Sequence, residues 1–193
     1  MRSKAIVLLL AAVLMSLQGC DIFQTREPEP PTQDISTFDP PVSPDIVLRN
    51  LQFAISEYNV DNYMRCFTDT AMRVFVFIPA QEVRANFESV FQEWDLQAER
   101  RYFQNLGQPS SASPLLTLTM QPPNVTADSV VYTINYTLFF PHRRAGVPQV
   151  VRGNMQLYLG VDNQRRWSIN RWEDFKTTTD TTWSFWKAVF SGS

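Results

Sequence analysis

Two long stretches of alternating apolar and polar residues constrain the fold of this chain more than any other feature. Residues 129–140 place every second side chain on an apolar face, and residues 150–161 repeat the pattern after a turn-rich connection. The apolar positions are Val130, Tyr132, Ile134, Tyr136, Leu138, Val151, Met155, Leu157, Leu159 and Val161.

 An alternation with a period of two predicts strands that bury one face and leave the other in water. The rest of the chain must therefore supply a layer that covers the apolar face.

Helical patterns precede these strands. Ser43 is a plausible N-cap, Pro44 suits the first helical position, and Asp45 complements the helix dipole, so a helix is predicted from there to about Tyr58. Asp61 is expected to cap a second, shorter helix. The remaining predicted elements are a short strand at 73–78, helical regions at 79–91 and 94–106, strands at 115–120 and 166–175, and a helical tail from 180. This order predicts an α+β domain in which helices cover one face of a curved antiparallel sheet.

The amino terminus has the residue pattern of a targeting signal. Arg2 and Lys4 precede an apolar run at 5–17, and the run stops at Gly19 and Cys20. The order of charge, apolar run and small residue is that of a secretory signal peptide. The alternatives are a plain secretion signal and a transmembrane anchor, for which the run is short, since a span needs about 20 residues.

With Cys20 closing the run, residues 1–19 resemble a bacterial lipoprotein signal, the lipobox. The resemblance implies cleavage after Gly19 and lipid attachment at Cys20. The expected location is the bacterial cell envelope, with the protein anchored to a membrane by its lipid and facing the periplasm or the exterior. Asp21 favours the inner membrane in enteric bacteria, but the rule does not extend to all bacteria, and the choice between inner and outer membrane stays open.

Residues 20–42 are predicted to form a disordered tether. Their prolines, with Glu, Thr, Gln, Asp and Ser between them, leave too little apolar surface to offset the entropy of ordering. An extended segment of this composition spans about 3.1 Å per residue, or roughly 70 Å in all. A single domain is expected from 43 to 193.

Composition narrows the function classes. A formal net charge of −2 and basic residues in isolated pairs do not suggest a nucleic-acid partner. With one histidine and two cysteines, no metal site and no cofactor are expected. If Cys20 is lipidated, Cys66 has no disulfide partner and is expected to be a buried apolar residue. His142 is expected in a solvated turn.

The element order also resembles the nuclear-transport-factor-2-like (cystatin-like) cone, whose superfamily includes ketosteroid-isomerase-like enzymes. The residues that carry the resemblance are Ser43, Pro44, Leu48, Leu51, Ala54, Tyr58, Tyr63, Cys66, Phe67 and the strand 167–174. It covers residues 43–175 and implies that the N-terminal helices pack in the concave face of the sheet. The whole chain is similar to bacterial lipoproteins that carry this domain behind a Pro-rich tether.

Isomerase-like members of that superfamily use a carboxylate base, with a tyrosine and a protonated acid that stabilise an oxyanion. The inward faces of the strands predicted at 73–78, 115–120, 129–140 and 150–161 carry no acid, and only Glu173 and Asp174 fall on a strand, at its end. We therefore expect a non-catalytic module that binds a ligand or a protein. The alternative is an isomerase- or hydrolase-type enzyme that uses the cone pocket.

The candidate pocket-lining residues are Tyr58, Tyr63, Tyr132, Tyr136, Met155, Trp167, Trp183 and Trp186. Trp183, Trp186 and Phe190 form one helical stripe, which we expect to close the core across the open end of the cone. The stripe could instead be a lid on an apolar pocket or an exposed patch for a partner. The expected partners are an envelope protein, an apolar small ligand, or a second copy that meets the outer sheet face at Thr133, Asn135, Thr137, Arg152, Asn154 and Gln156.

Overall fold

The computed structural model describes residues 37–69, 73–177 and 181–192. The predicted signal peptide, Cys20 and residues 21–36 of the tether lie outside the described residues. The elements in chain order are α1 (Pro44–Ser56), α2 (Val60–Arg65), β1 (Val76–Ile78), α3 (Gln81–Asn86), α4 (Glu88–Phe91), α5 (Leu96–Asn105), β2 (Leu115–Met120), β3 (Asn124–Val125), β4 (Ser129–Phe139), β5 (Val150–Val161), β6 (Trp167–Phe175) and α6 (Trp183–Ser191). This is the predicted α+β order, with the short β3 as an addition. None of the described helices is long and apolar enough to cross a bilayer.

The strands form one open sheet in the order β1-β6-β5-β4-β2, with β3 paired to β4. The predicted sheet was antiparallel throughout, but β1 pairs with β6 in parallel, with Val76 opposite Arg171 and Ile78 opposite Glu173. A parallel pair needs a long crossover connection, and the helices and strands between β1 and β6 provide it. The sheet is therefore mixed, with β1 and β2 at its two edges.

The central pair of strands confirms the alternation from which the fold was predicted. Tyr132 lies opposite Leu157 and Ile134 opposite Met155, and all four side chains are buried. The same face needs a glycine at one position: a Cβ on Gly153 would lie 2.8 Å from Cζ of Tyr136. A side chain there would displace the tyrosine ring from the sheet.

A β-bulge in β6 decides which of its side chains reach the covered face. Tyr158 is opposite Arg171, whereas Leu159 is opposite Ile169, so Asn170 is an extra residue. An extra residue moves every later side chain of the strand to the other face. As a result Trp172 and Asp174 point inward and are buried, as is Ile169.

Local capping explains where two of the helices begin. The side chain of Asn59 accepts a hydrogen bond from the amide of Asn62 at 3.0 Å, so α2 is capped by Asn59 and not by the predicted Asp61. Asp95 caps α5 in the same way, accepting from the amide of Ala98 at 2.7 Å. Each such cap stabilises its helix by about 1 kcal/mol.

The folded unit begins earlier than the predicted boundary at 43. Phe38 packs against the core, and the amide of Trp167 donates to the carbonyl of Pro41 at 2.7 Å. Asn50, which is buried, binds both the amide and the carbonyl of Asp39. Assignment of 37–42 to a disordered tether is therefore wrong, because a buried amide side chain of α1 holds this segment.

The terminal helix α6 lies inside the domain. Trp183 and Trp186 are fully buried and Phe190 nearly so, which confirms the expectation that this stripe closes the core. The opposite side of the helix is also covered, since Ala188 packs with Ala80 and Val83 of the α3 region. A helix buried on nearly all sides belongs to the core of the domain.

Candidate functional site

The candidate site is the covered face of the sheet, where the structure places most of the predicted pocket residues. Six of the eight are buried, at no more than 4% exposure: Tyr63, Tyr132, Tyr136, Met155, Trp183 and Trp186. Tyr58 is only partly buried, and its hydroxyl donates a hydrogen bond to the carbonyl of Gln104 at 2.7 Å. Trp167 is apart from them and lines a surface cavity with Phe38 and Arg65.

A carboxylate lies at the centre of this face. Asp174 is 1% exposed, and its two oxygens accept hydrogen bonds from the Tyr136 hydroxyl at 2.7 Å and from the backbone amide of Ser184 at 2.7 Å. The hydroxyl of Ser184 donates to the same carboxylate. The Tyr136 hydroxyl in turn accepts from the amide of Trp183 at 2.7 Å. These contacts fasten the first turn of α6 to β4 and β6.

Burial and hydrogen bonding act in opposite directions on Asp174. Burial raises the pKa of its carboxyl above the usual range, and the hydrogen bonds from Ser184 and Tyr136 offset part of that rise. The pKa of Tyr136 is well above its ordinary value because the phenol is buried beside this carboxylate. The pair can hold or share a proton, but each oxygen of the carboxylate is already bonded to another group of the protein.

A second charged cluster joins α6 to α5. The ammonium of Lys187 lies 2.7 Å from Oε2 of Glu99, and both side chains are fully buried. The same carboxylate accepts from the Trp94 indole at 2.7 Å and from the Tyr63 hydroxyl at 2.6 Å. Glu99 therefore accepts from three donors, and both of its oxygens are hydrogen bonded, as a buried carboxylate requires.

Aromatic rings enclose the ammonium of Lys187. Its Nζ lies 3.7 Å from the ring centre of Trp172 and 3.8 Å from that of Phe77. Such cation–π contacts favour the charged amine when water is excluded. Burial nevertheless lowers the pKa of Lys187 to about 8, and the carboxylate of Glu99 offsets part of that fall.

The expectation of an acid-free covered face is therefore wrong. Asp174 reaches this face because the bulge at Asn170 reverses the facing of the strand end. Glu99 reaches it from a helix, and strands alone do not reveal such an acid. Its signal in the sequence is that Glu99 lies beside Ala98 and Tyr102 on the buried face of α5. Lys187 is signalled in the same way, four residues after Trp183 on the apolar stripe.

His142 also departs from its prediction as a solvated residue. It is 3% exposed, its Nε2 lies 3.1 Å from the carbonyl of Pro148, and its Nδ1 accepts from the amide of Arg144 at 3.2 Å. The ring packs against Phe190 with centres 4.9 Å apart. The turn is thus covered by α6, which the sequence of the turn itself cannot show.

Cys66 lies where the sequence predicts, as a buried side chain. It is 1% exposed, and its thiol donates to the carbonyl of Asn62 at 3.3 Å. Burial raises the pKa of this thiol, which keeps it protonated and unreactive. Within 37–69, 73–177 and 181–192, no three His, Cys, Asp or Glu side chains are grouped as a metal site would need.

Solved structures share this architecture. A conserved protein from Planctomyces limnophilus superposes with a TM-score of 0.54 at 10% identity, covering 68% of this chain and 91% of that one. A nuclear transport factor 2 (NTF2-like) superfamily protein from Salmonella enterica serovar Typhimurium superposes with a TM-score of 0.51 at 13% identity, covering 69% and 88%. No protein-family model and no curated protein matches the sequence.

These likenesses establish the fold. The domain is an α+β domain of the nuclear-transport-factor-2-like fold, as the resemblance of residues 43–175 predicted. A fold that hosts many activities does not by itself assign one, so the function has to be argued from the residues of this chain.

Proposed function

We propose that the chain is a lipid-anchored protein of the bacterial cell envelope, and that its domain is a non-catalytic module for binding a ligand or a partner protein. In this proposal residues 1–19 are removed as a signal peptide, and Cys20 carries the lipid. The remaining residues of the tether hold the domain away from the membrane.

The observation that supports a non-catalytic role is the place of α6. Its Trp183 and Trp186 fill the covered face of the sheet, and its Ser184 and Lys187 engage Asp174 and Glu99. A general base needs a free oxygen within reach of a substrate proton. Here both carboxylates serve to hold a helix of the protein itself.

A second candidate, an isomerase- or hydrolase-type enzyme, draws on one specific observation. Asp174 and Tyr136 are hydrogen bonded inside the cone, and burial raises the pKa of both groups. A carboxyl and a phenol in such a site are the groups that proton-transfer enzymes use. This function requires α6 to leave the covered face during turnover.

Affinity capture from the native host tests the proposal. The full-length protein and its Cys20→Ala variant are cross-linked in intact cells and purified, with Cys66→Ala as the matched control, because Cys66 is the second cysteine of the chain. The cells are also grown with a labelled fatty acid. The wild type and Cys66→Ala are expected to carry the lipid label and to recover defined envelope partners, whereas Cys20→Ala is expected to lose the label and the partners. Labelling that survives Cys20→Ala contradicts the anchor. Recovery of no partner, together with turnover of an added small molecule that Asp174→Asn abolishes, favours the enzyme.

A further inference from the structure

Two adjoining surface cavities lie away from the cone interior. The first, of about 230 Å³, lies between the segment before α1, the end of α2 and the start of β6, and has an aromatic lining that includes Phe38, Phe67 and Trp167. The second, of about 290 Å³, has a polar lining that includes Arg73 and Asn163. Both cavities share Thr68, Asp162 and Ser168 as walls, so they form one two-part depression.

In the polar part, the side chain of Arg73 occupies space that is open only because residue 160 is a glycine. The guanidinium of Arg73 lies directly over Gly160 of β5, where a Cβ would come within 2.9 Å of its Cζ and would clash with its Nη1. Any other residue at 160 would force the guanidinium to move. Among residues 37–69, 73–177 and 181–192, no carboxylate forms an ion pair with Arg73.

The β-bulge brings a second donor to the same place. Asn170 is the extra residue of β6, and a Cβ on Gly160 would lie 2.8 Å from its Nδ2. Bulges redirect side chains and are frequent beside functional sites. The guanidinium of Arg73 and the side-chain amide of Asn170 therefore lie over the same residue, Gly160. Neither side chain forms a hydrogen bond with another of the described residues.

The charges of the depression favour an anion. Arg65, Arg73 and Arg166 contribute three cations, and Asp69 and Asp162 contribute two anions. The guanidinium of Arg65 is stacked over the ring of Phe38 at 3.7 Å and donates to Oδ1 of Asn62 at 3.2 Å. One oxygen of Asp162 is already bound by the amides of Gln164 and Arg166 at 2.8 Å, as part of the hairpin turn. A guanidinium fork matches the two oxygens of a carboxylate or the oxygens of a phosphate.

We propose that this depression binds a small aromatic oxyanion. Arg73 and Asn170 hold the anionic group in the polar part, and the aromatic group lies against Phe38, Phe67 and Trp167. The inference deepens the proposed binding function by naming the class of ligand and the site that takes it.

Calorimetric titration of the full-length protein in detergent micelles tests this site. The probes are phenylacetate, phenyl phosphate and the neutral phenylacetamide. At least one of the two anions is expected to bind about tenfold or more tightly than the amide, and the stronger of the two identifies the oxyanion as carboxylate or phosphate. Labelling with 5-fluorotryptophan locates the binding, because the resonance that Trp167→Phe removes is expected to shift on titration.

Matched variants separate this site from non-specific charge. Arg73→Gln and Gly160→Ala are expected to lower the affinity for the anion by about tenfold or more, whereas Arg143→Gln, an equal change of charge outside the depression, leaves it unchanged. The inference is overturned if neither anion binds below about 10 mM, if the amide binds equally well, or if Arg73→Gln has no effect. Failure of this ligand test does not change which partners affinity capture recovers. It is therefore distinguishable from failure of the proposed function, which affinity capture tests.

Discussion

Lys187 and Glu99 form an ion pair from which water is excluded on all sides. Removing two charges from water is costly, and their attraction offsets that cost only when the remaining donors and acceptors are also satisfied. The indole of Trp94 and the hydroxyl of Tyr63 complete the shell of Glu99, and the rings of Trp172 and Phe77 enclose the ammonium. Each charge therefore depends on the presence of the other.

Replacing one member of this pair is expected to cost more than replacing both. Lys187→Met leaves a buried carboxylate without its cation and should lower the free energy of unfolding by about 3–5 kcal/mol, whereas Lys187→Met with Glu99→Gln should recover much of that loss. Urea unfolding provides the measurement, and the exposed pair Arg100–Asp61 provides the control, since Arg100→Met should cost at most about 1 kcal/mol. Equal losses for the single and double variants would contradict the coupling.

The same residue predicts a pH dependence. The pKa of Lys187 in the folded protein is about 8, below the ordinary lysine value of roughly 10.4, so between these values the unfolded chain holds a proton that the folded chain has released. Stability therefore rises with pH in this window. The difference in unfolding free energy between the wild type and Lys187→Met should increase from pH 8 to about pH 10. A flat or falling difference would contradict the lowered pKa.

At the scale of elements, α6 distinguishes this domain from an open cone. Ser184 and Trp183 fasten one side of the helix to the sheet. The helix meets α5 through Lys187 and through Nδ2 of Asn105, which donates to the carbonyl of Phe190 at 2.8 Å. Two fully buried indoles in a nine-residue helix supply much of the apolar contact. A lid that opens readily would lack such attachments on both sides.

Native-state hydrogen exchange tests whether α6 is part of the core. The amides of residues 186–190 are expected to exchange only with global unfolding, at the protection of the central strands β4 and β5, because their opening requires removal of the buried indoles. Ser184→Ala should leave that protection close to global, since the packing remains. Exchange on the order of 100-fold faster in α6 than in β4 would instead identify a movable lid and favour the enzyme.

At the scale of the whole molecule, the outer face of the sheet presents six polar side chains on its two central strands. Asn135 lies opposite Asn154, Thr137 opposite Arg152, and Thr133 opposite Gln156, and none of these six side chains is buried. The Nδ2 of Asn154 donates to Oδ1 of Asn135 at 3.2 Å, and Oε1 of Gln156 accepts from the hydroxyl of Tyr158 at 3.0 Å. We propose that a second copy packs here, related by a two-fold axis that brings the same patch of each copy together.

Sedimentation velocity tests this dimer. The wild type is expected to show a reversible dimer with a dissociation constant on the order of micromolar, and Arg152→Glu should shift it to monomer because a carboxylate cannot make the hydrogen bonds that the guanidinium would donate to the second copy. Arg143→Glu, the same change of charge at an exposed turn, should leave the dimer intact. A wild type that stays monomeric at about 100 µM, or a dimer that Arg152→Glu does not weaken, rules out this face.

Periodicity alone predicted a large part of this fold. The bounds of β2 and β5, the buried faces of β4 and β5, the start of α1 and the burial of the Trp183 stripe all follow from the spacing of apolar residues, because burial of those faces is what stabilises the elements. The likeness to the nuclear-transport-factor-2-like fold followed from the order of these elements. The lipid signal at Cys20 is likewise a property of the sequence, and it stays a prediction.

Only the tertiary structure determined which charged groups are buried and how they pair. Whether Asp174 or Glu173 reaches the covered face depends on one extra residue in β6, and no local pattern marks the bulge at Asn170. Glu99 and Lys187 lie 88 residues apart in the chain, and the glycine at 160 has its role only because Arg73 folds over it. Apolar periodicity is local and so can be read from the sequence. The pairing of buried charges depends on which elements meet, and three-dimensional packing alone determines that.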